Sequence, residues 1–364
     1  MSTTTARPER PEPAIWPKRT RFLRPFSGKI SIKIDLRTVV ITAILAVITV
    51  CVALWSLTLG SAEGSDIPLD RVFGALAGNE SPSVTRIVEG RLPRVLVAVF
   101  GGAALALSGA IFQTVTRNPL GSPDIIGFTA GANTGALIAM LVFGLGYNGA
   151  TFGSLIGGLL TGVVIYILAF RGGVQGYRLI VIGIGVSAML TAFNGYLLVR
   201  ARVENAAAAA AWGQGIFEQL RLKDVIPVVL VLVILIPALT YFTPNMRMFE
   251  LGQDSAQSKG VHTERVQVYL MIIGVGLIAV VTAVAGPIAF IALIAPQVAM
   301  RITRSPGIPL VTGAAVGATL LVISDAIART LLAPVQLPVG VVTTALGGVY
   351  LLGLLVVQSR KAGS

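Results

Sequence analysis

The sequence is short of the residues that do chemistry. It has one histidine, His262, and one cysteine, Cys51, among 364 residues. A lone cysteine excludes an intramolecular disulfide and a thiolate metal cluster, and Cys51 falls inside an apolar run, where it reads as a small packed hydrophobe. His262 lies in a polar loop without neighbouring ligands, which makes neither a metal site nor a catalytic relay. Charge is scarce as well: Asp, Glu, Lys and Arg form 12% of the chain, about half the roughly 25% of a soluble domain. No G-x-x-x-x-G-K-[ST] phosphate loop occurs, so any nucleotide-driven motor belongs to another polypeptide. No Asp, Glu, Lys or Arg falls near the middle of an apolar run, Asp325 coming nearest at about one turn from an end. Ion-coupled carriers keep titratable relays at the midplane, so an ion-coupled secondary transporter is the weaker alternative from another class.

What the chain has in quantity is apolar sequence, 54% of residues, and 41 glycines. A spanning helix needs about 20 apolar residues. Such runs occur at roughly 38–59, 91–115, 149–170, 177–199, 222–242, 265–285 and 338–358. Three more, at roughly 125–144, 287–300 and 308–327, are interrupted by Gly or Pro. The expected fold is an all-α polytopic membrane protein of about ten transmembrane helices. Residues 1–37 are rich in Pro, Arg and Lys with no early apolar core, so a disordered basic arm is expected there without a cleavable leader. Residues 38–359 form one transmembrane domain and 360–364 a tail. The stretch 60–89 is too polar to span and reads as an external loop around a short amphipathic helix, IPLDRVFGALAG.

Charge sets the orientation. With the N-terminus inside, the inner side collects 19 of the 28 basic residues and 7 of the 16 acids, 19 − 7 = +12. The outer side holds 9 of each, so the whole net charge of +12 lies on one face. That is the positive-inside pattern, with both termini cytoplasmic, and no nucleic-acid partner is needed to explain the charge. The same topology puts Arg91, Arg94 and Arg329 outside, each at a helix mouth, with Asp325 one turn from Arg329. Gly127, Gly131 and Gly135 recur at four-residue spacing, as do Gly153/Gly157, Gly158/Gly162 and Gly313/Gly317, a pattern for close helix packing. The cytoplasmic loop 244–264 carries Gly252, Ala256 and Gly260 four apart, among polar residues and beside Phe249 and Leu251. It suits short amphipathic helices stopped by Gly260 and able to receive force from a cytoplasmic partner.

The stretch RLPRVLVAVFGGAALALSGAIFQTVTRNPLGSPDIIGFTAGANTGA resembles the signature of FecCD-type permeases, membrane subunits of type II ABC importers for ferric siderophores, haem and cobalamin. LG-x3-A-x3-G in the cytoplasmic loop, GPIAFIALIAPQVAMR, ISDAIAR and PVQLPVGVVTTALGGVYLLGLL resemble further family segments, in order along nearly the whole chain. The resemblance implies a permease of the bacterial cytoplasmic membrane that catalyses no bond-making. It also implies two membrane subunits around a central path, two copies of an ATPase that hold the ATP and Mg, and an extracytoplasmic substrate-binding protein. No cofactor is expected on this chain itself. Arg91, Arg94 and Arg329 match arginines that dock the binding protein in relatives. Glu250, Leu251, Gly252, Gln253, Asp254, Ala256 and Gly260 match the ATPase-coupling segment. Asn118 and Pro119 are expected to shape a cytoplasmic turn away from substrate. Gln297 and Gln336 stand where the family commonly has His and Glu. That pair resembles one partner of two-gene permeases and implies a heterodimer for a catecholate ferric siderophore, with cobalamin or haem as alternatives.

Overall fold

The computed structural model describes residues 20–23, 32–60, 65–170, 176–250 and 252–362. Strands β1 (Thr20–Leu23) and β2 (Ile32–Asp35) pair antiparallel, Thr20 opposite Asp35. Then follow α1 (Leu36–Thr58), the short α2 (Leu69–Leu76), α3 (Pro82–Thr116) and α4 (Phe128–Leu137), which ends in a π-helical turn at Ile138–Val142. Next come α5 (Gly146–Ala169), α6 (Gly176–Arg200), α7 (Val203–Trp212), α8 (Leu222–Glu250) and α9 (Gln253–Ser258). The chain closes with α10 (Thr263–Ala285), α11 (Ile291–Thr303), α12 (Leu310–Thr330) and α13 (Val339–Ala362).

Eight of these helices, α1, α3, α5, α6, α8, α10, α12 and α13, are long and apolar enough to cross a bilayer, and α4 and α11 are shorter apolar helices. Packing direction shows that both short helices count as crossings. Along α3, Gly101 meets Val281 and Ser108 donates to the Gly274 carbonyl, so α3 and α10 run antiparallel. Going from α3 to α10 through α5, α6 and α8 alone would leave them parallel; α4 supplies the missing reversal. Thr42 pairs with Thr312 and Thr49 with Thr319, so α1 and α12 run parallel. Arg94 meets Asp325 and Gly102 meets Gly317, so α3 opposes α12. With α10 and α12 thus pointing the same way, α11 must cross between them. Ten crossings result, as the apolar runs predict.

Four details depart from expectation. First, α3 begins at Pro82, nine residues before the apolar run. Proline suits the first helical position, where its missing N–H is no loss, and the 35 residues reach about 50 Å at 1.5 Å each. The hydrocarbon core is about 30 Å thick, so the first turns of α3 project outside. Second, 308–327 is not broken: α12 is continuous, because Gly313 and Gly317 face Pro296 and Gly102 rather than interrupting the helix. Third, part of the expected disordered arm is the β1–β2 hairpin, a small exception to the all-α fold. The Asp35 carboxylate there caps α1 through the Arg37 amide at 3.1 Å; residues 1–19 and 24–31 of the arm lie outside the described residues. Fourth, α8 runs on through Pro244 to Glu250 and α13 through Ala362, which shortens the expected loop and tail.

The core is centred on α3. Backbone meets backbone where Gly102 approaches Gly317 of α12 and Gly109 approaches Ala292 of α11; any side chain at either glycine would collide. Phe112 and Ile111 fill the space beside Gly274 of α10. Gly131 lies against Thr161, and Gly135 against Gly153 and Gly157, so these two glycines join α4 to α5. Gly127 sits apart from them: it caps α4 at φ +97° and packs on Gly183 and Ser187 of α6.

Candidate functional site

The three arginines converge at the external end, but not as free forks at a helix mouth. Arg91 and Arg94 lie about three turns inside α3, and Arg94 and Arg329 are buried. Arg91 donates to the carbonyls of Leu57 (2.9 Å), Thr58 (3.0 Å) and Ser65 (2.7 Å). Arg329 donates to the Ser56 carbonyl at 2.9 Å, to the Ser56 hydroxyl and to the Leu59 carbonyl at 3.4 Å. Four consecutive carbonyls at the end of α1, which its own helix leaves without donors, are thus taken up by two arginines. Arg94 Nε donates to Asp325 Oδ1 at 2.6 Å, and its Nη1 to Gln336 Oε1 at 2.6 Å. Arg329 Nε lies 3.3 Å from Asp325 Oδ2, an ion pair without hydrogen-bond alignment. The amide of Gln336 is neutral, so one buried carboxylate serves two buried guanidinium groups. The cluster keeps an excess of positive charge, with Arg91 half-buried at its rim.

At the cytoplasmic end, Gly252 adopts φ +105°, which favours glycine, and precedes α9 with open space where a side chain would project. Ala256 is fully buried under α9. Gly260, at φ +82°, ends the helix: its amide bonds the Gln257 carbonyl and the Val261 amide bonds Ala256, the paired C-terminal motif that stops a helix at glycine. Glu250 does not face the cytoplasm freely. Its Oε1 accepts from the Ile308 amide at 3.3 Å and its carboxylate packs against Gly307, tying the end of α8 to the turn before α12. Leu251 lies outside the described residues, as do the side chains of Gln253 and Asp254.

A third locus was missed in the sequence. Asn118 shapes a turn after α3 as expected, its side chain accepting from the Leu120 amide at 2.9 Å. The chain then doubles back, Ile126 packs on Gly183, and Asp124 arrives beside the middle of α6. Its Oδ1 accepts from Thr129 at 2.6 Å, and the carboxylate also takes the Phe290 amide, where α11 begins. Asp124 Oδ2 is buried without a partner. An open groove of about 580 Å³ lies there, lined by Asp124, Ile125, Ile184, Ser187, Ala188, Thr191 and Ala192. Phe290, at φ +69°, turns its ring onto Gly347 of α13. Gln297 explains itself locally: its Nε2 donates to Gln113 Oε1 at 2.7 Å, and Gln113 donates to the Leu293 carbonyl at 2.9 Å. This closed amide pair joins α3 to α11 with no ionisable group. Among the described residues no cluster of His, Cys, Asp and Glu could hold a metal ion.

Residues 33–357 match the FecCD transport family. The chain is 44% identical over 327 residues to the ferric enterobactin transport system permease protein FepG of Escherichia coli (strain K12), covering 89% of this chain and 98% of that one. It is 35% identical to the achromobactin transport system permease protein CbrC of Dickeya dadantii (strain 3937), covering 91% and 95%. It is 34% identical to the hemin transport system permease protein HmuU of Yersinia pestis, covering 74% and 83%. A solved metal-chelate type ABC transporter in an inward-facing conformation superimposes with a TM-score of 0.72 at 26% identity, over 88% of this chain and 99% of that one. The arrangement of ten crossings and these likenesses lead to one conclusion: the chain belongs to the FecCD transport family, as a multi-pass permease subunit of the cytoplasmic membrane and not an enzyme.

Proposed function

We propose that this subunit carries a ferric siderophore of the catecholate type inward, in a complex with a second, different permease subunit. The 44% identity to a ferric enterobactin permease over nearly the full length of both chains carries this reading. The lower identity to a hemin permease, over less of the chain, supports haem less.

The open flank supports a second subunit. Gly185 and Gly195 on α6 and Gly348 and Gly353 on α13 have nothing among the described residues near the space a side chain would fill, and the same holds for Gly90 in the projecting first turns of α3. Glycine costs a helix about 1 kcal/mol relative to alanine, and lipid gains nothing from the gap. A close-packed helix of a partner would. Two ATPase subunits, holding the ATP and Mg, bear on the segment around α9 through Glu250, Leu251, Gly252, Gln253, Asp254 and Gly260, with buried Ala256 anchoring that segment to the chain. The substrate-binding protein docks over Arg91, Arg94 and Arg329. Two of these guanidinium groups are buried and committed, so they act through the excess charge they hold at the outer end, with half-buried Arg91 nearest the visitor. Such charge complementarity sets register and on-rate.

The test is growth and radioactive-iron uptake by a strain lacking this chain, supplied in turn with a ferric catecholate, a ferric hydroxamate, haem and cobalamin. Selective loss of ferric catecholate uptake is expected. Intact catecholate uptake with loss of haem or cobalamin uptake would overturn the assignment.

A further inference from the structure

The groove beside α6 is open on one side, and its volume falls within the roughly 300–1,000 Å³ of ligand sites. It opens on the flank assigned above to the partner subunit, so a second subunit would close it into a chamber. Its wall is apolar apart from the hydroxyls of Ser187 and Thr191 and the carboxyl of Asp124, the one ionisable group in the lining. Asp124 is held on two sides by groups without charge, the Thr129 hydroxyl and the Phe290 amide. No lysine, arginine or histidine stands in the lining to neutralise it. Its second oxygen has no partner within the chain. A negative charge so placed, in surroundings of low polarity, acts on whatever enters the chamber more strongly than it would in water.

We propose that Asp124 is the charge filter of the ligand path, setting how readily an anionic iron chelate passes along α6 relative to a neutral one. The proposal rests on the import function proposed above and adds a specificity-determining residue to it. An ionised Asp124 repels a polyanionic chelate and leaves a neutral chelate of the same shape nearly untouched. Such repulsion also keeps an anionic cargo from lodging on the hydroxyl donors of the wall, and passage requires that binding stay weak enough to leave.

Asp124→Asn removes the charge but keeps an oxygen that accepts from Thr129 and Phe290, so the loop stays joined to α11. The experiment uses the whole complex in proteoliposomes, with ATP at the ATPase side and saturating binding protein. Two probes share one tripodal scaffold: catecholate arms give an anionic ferric complex, and hydroxypyridinone arms a neutral one. Asp124→Asn is expected to raise transport of the anionic chelate about fivefold, the scale of one like-charge contact in a partly polar site. The neutral chelate should change by less than about twofold. Asp124→Ala, which also cuts the joint to Phe290, should raise the anionic-to-neutral ratio by the same factor even if both rates fall. An unchanged ratio in both variants would overturn the proposal and leave Asp124 as a fastener of the loop. If the unaltered complex moves neither chelate, the import function itself fails and the filter falls with it.

Discussion

Helices α3 and α6 are both long and apolar, yet their surroundings are opposite. Of their most apolar windows, 78% of α3 is buried within the chain and 17% of α6. Around α3 the contacts are specific at every level: Arg94 with Asp325 outside, Gly102 with Gly317 midway, Gln113 with Gln297 further in. Helix α1 is strapped to the same block by Arg91 and Arg329 at one end, by two threonine pairs along its length, and by Arg37 on the Ile302 carbonyl at the other. Among the described residues, helices α6 and α13 carry fewer such ties, Thr134 with Asn194 and Arg301 over the Tyr350 ring among them, and their outer stretches expose glycines. On the function proposed above, a subunit moving against a partner would use both kinds of surface, one fixed to carry load and one completed by another chain.

The largest expected effect comes from unpairing the external cluster. Asp325→Ala leaves Arg94 and Arg329 buried without an anion, and losing one partner of a buried ion pair costs about 3–5 kcal/mol. Thermal unfolding in detergent should show a large drop in midpoint; an unchanged midpoint would mean the cluster carries no load. Next, Gly317→Leu drives a side chain into the α3 backbone and should cost at least about 1–3 kcal/mol. Gly185→Leu on α6 should leave the stability of the isolated chain unchanged while reducing co-purification of the second permease subunit. Equal destabilisation by both changes would erase the distinction between the two regions. At the cytoplasmic end, Gly252→Leu forces a side chain onto extended backbone at positive φ that is nearly reserved for glycine, at about 1–3 kcal/mol. Transport per ATP hydrolysed should fall with the complex still assembled, and unchanged coupling would remove the α9 segment from the drive. The smallest effect is expected from a double-mutant cycle of Thr49→Val and Thr319→Val. Hydrogen bonds between membrane helices average about 0.6 kcal/mol in such cycles, and a coupling energy of zero would make that pair incidental.

Much of this architecture was readable from the sequence, for a physical reason. The bilayer fixes the length of an apolar run, so ten runs marked ten crossings, and Lys and Arg placement oriented them. The start of α3 was hidden because residues 82–90 mix apolar Val84, Ile87 and Val88 with Arg86 and Glu89, though Ser81 followed by Pro82 is a helix-start signal. The partners of the arginines were not readable, since Arg94 meets residues 231 and 242 positions away and Arg329 reaches back 273 to Ser56. Local spacing offered only Glu89 and Asp325. Asp124 was overlooked for a similar reason: its segment reads as a cytoplasmic turn, and only the packing of Ile126 and Gly127 on Gly183 carries it back to α6.

Cysteine cross-linking tests the division between the two regions most directly. In a Cys51→Ser background, cysteines would be introduced singly by Gly185→Cys on α6, Gly348→Cys on α13 and Val233→Cys on the exposed face of α8. The account predicts that the first two cross-link to the second permease subunit in the assembled complex and that the third does not. Cross-linking through α8, with the α6 and α13 positions open only to lipid-phase reagents, would contradict it.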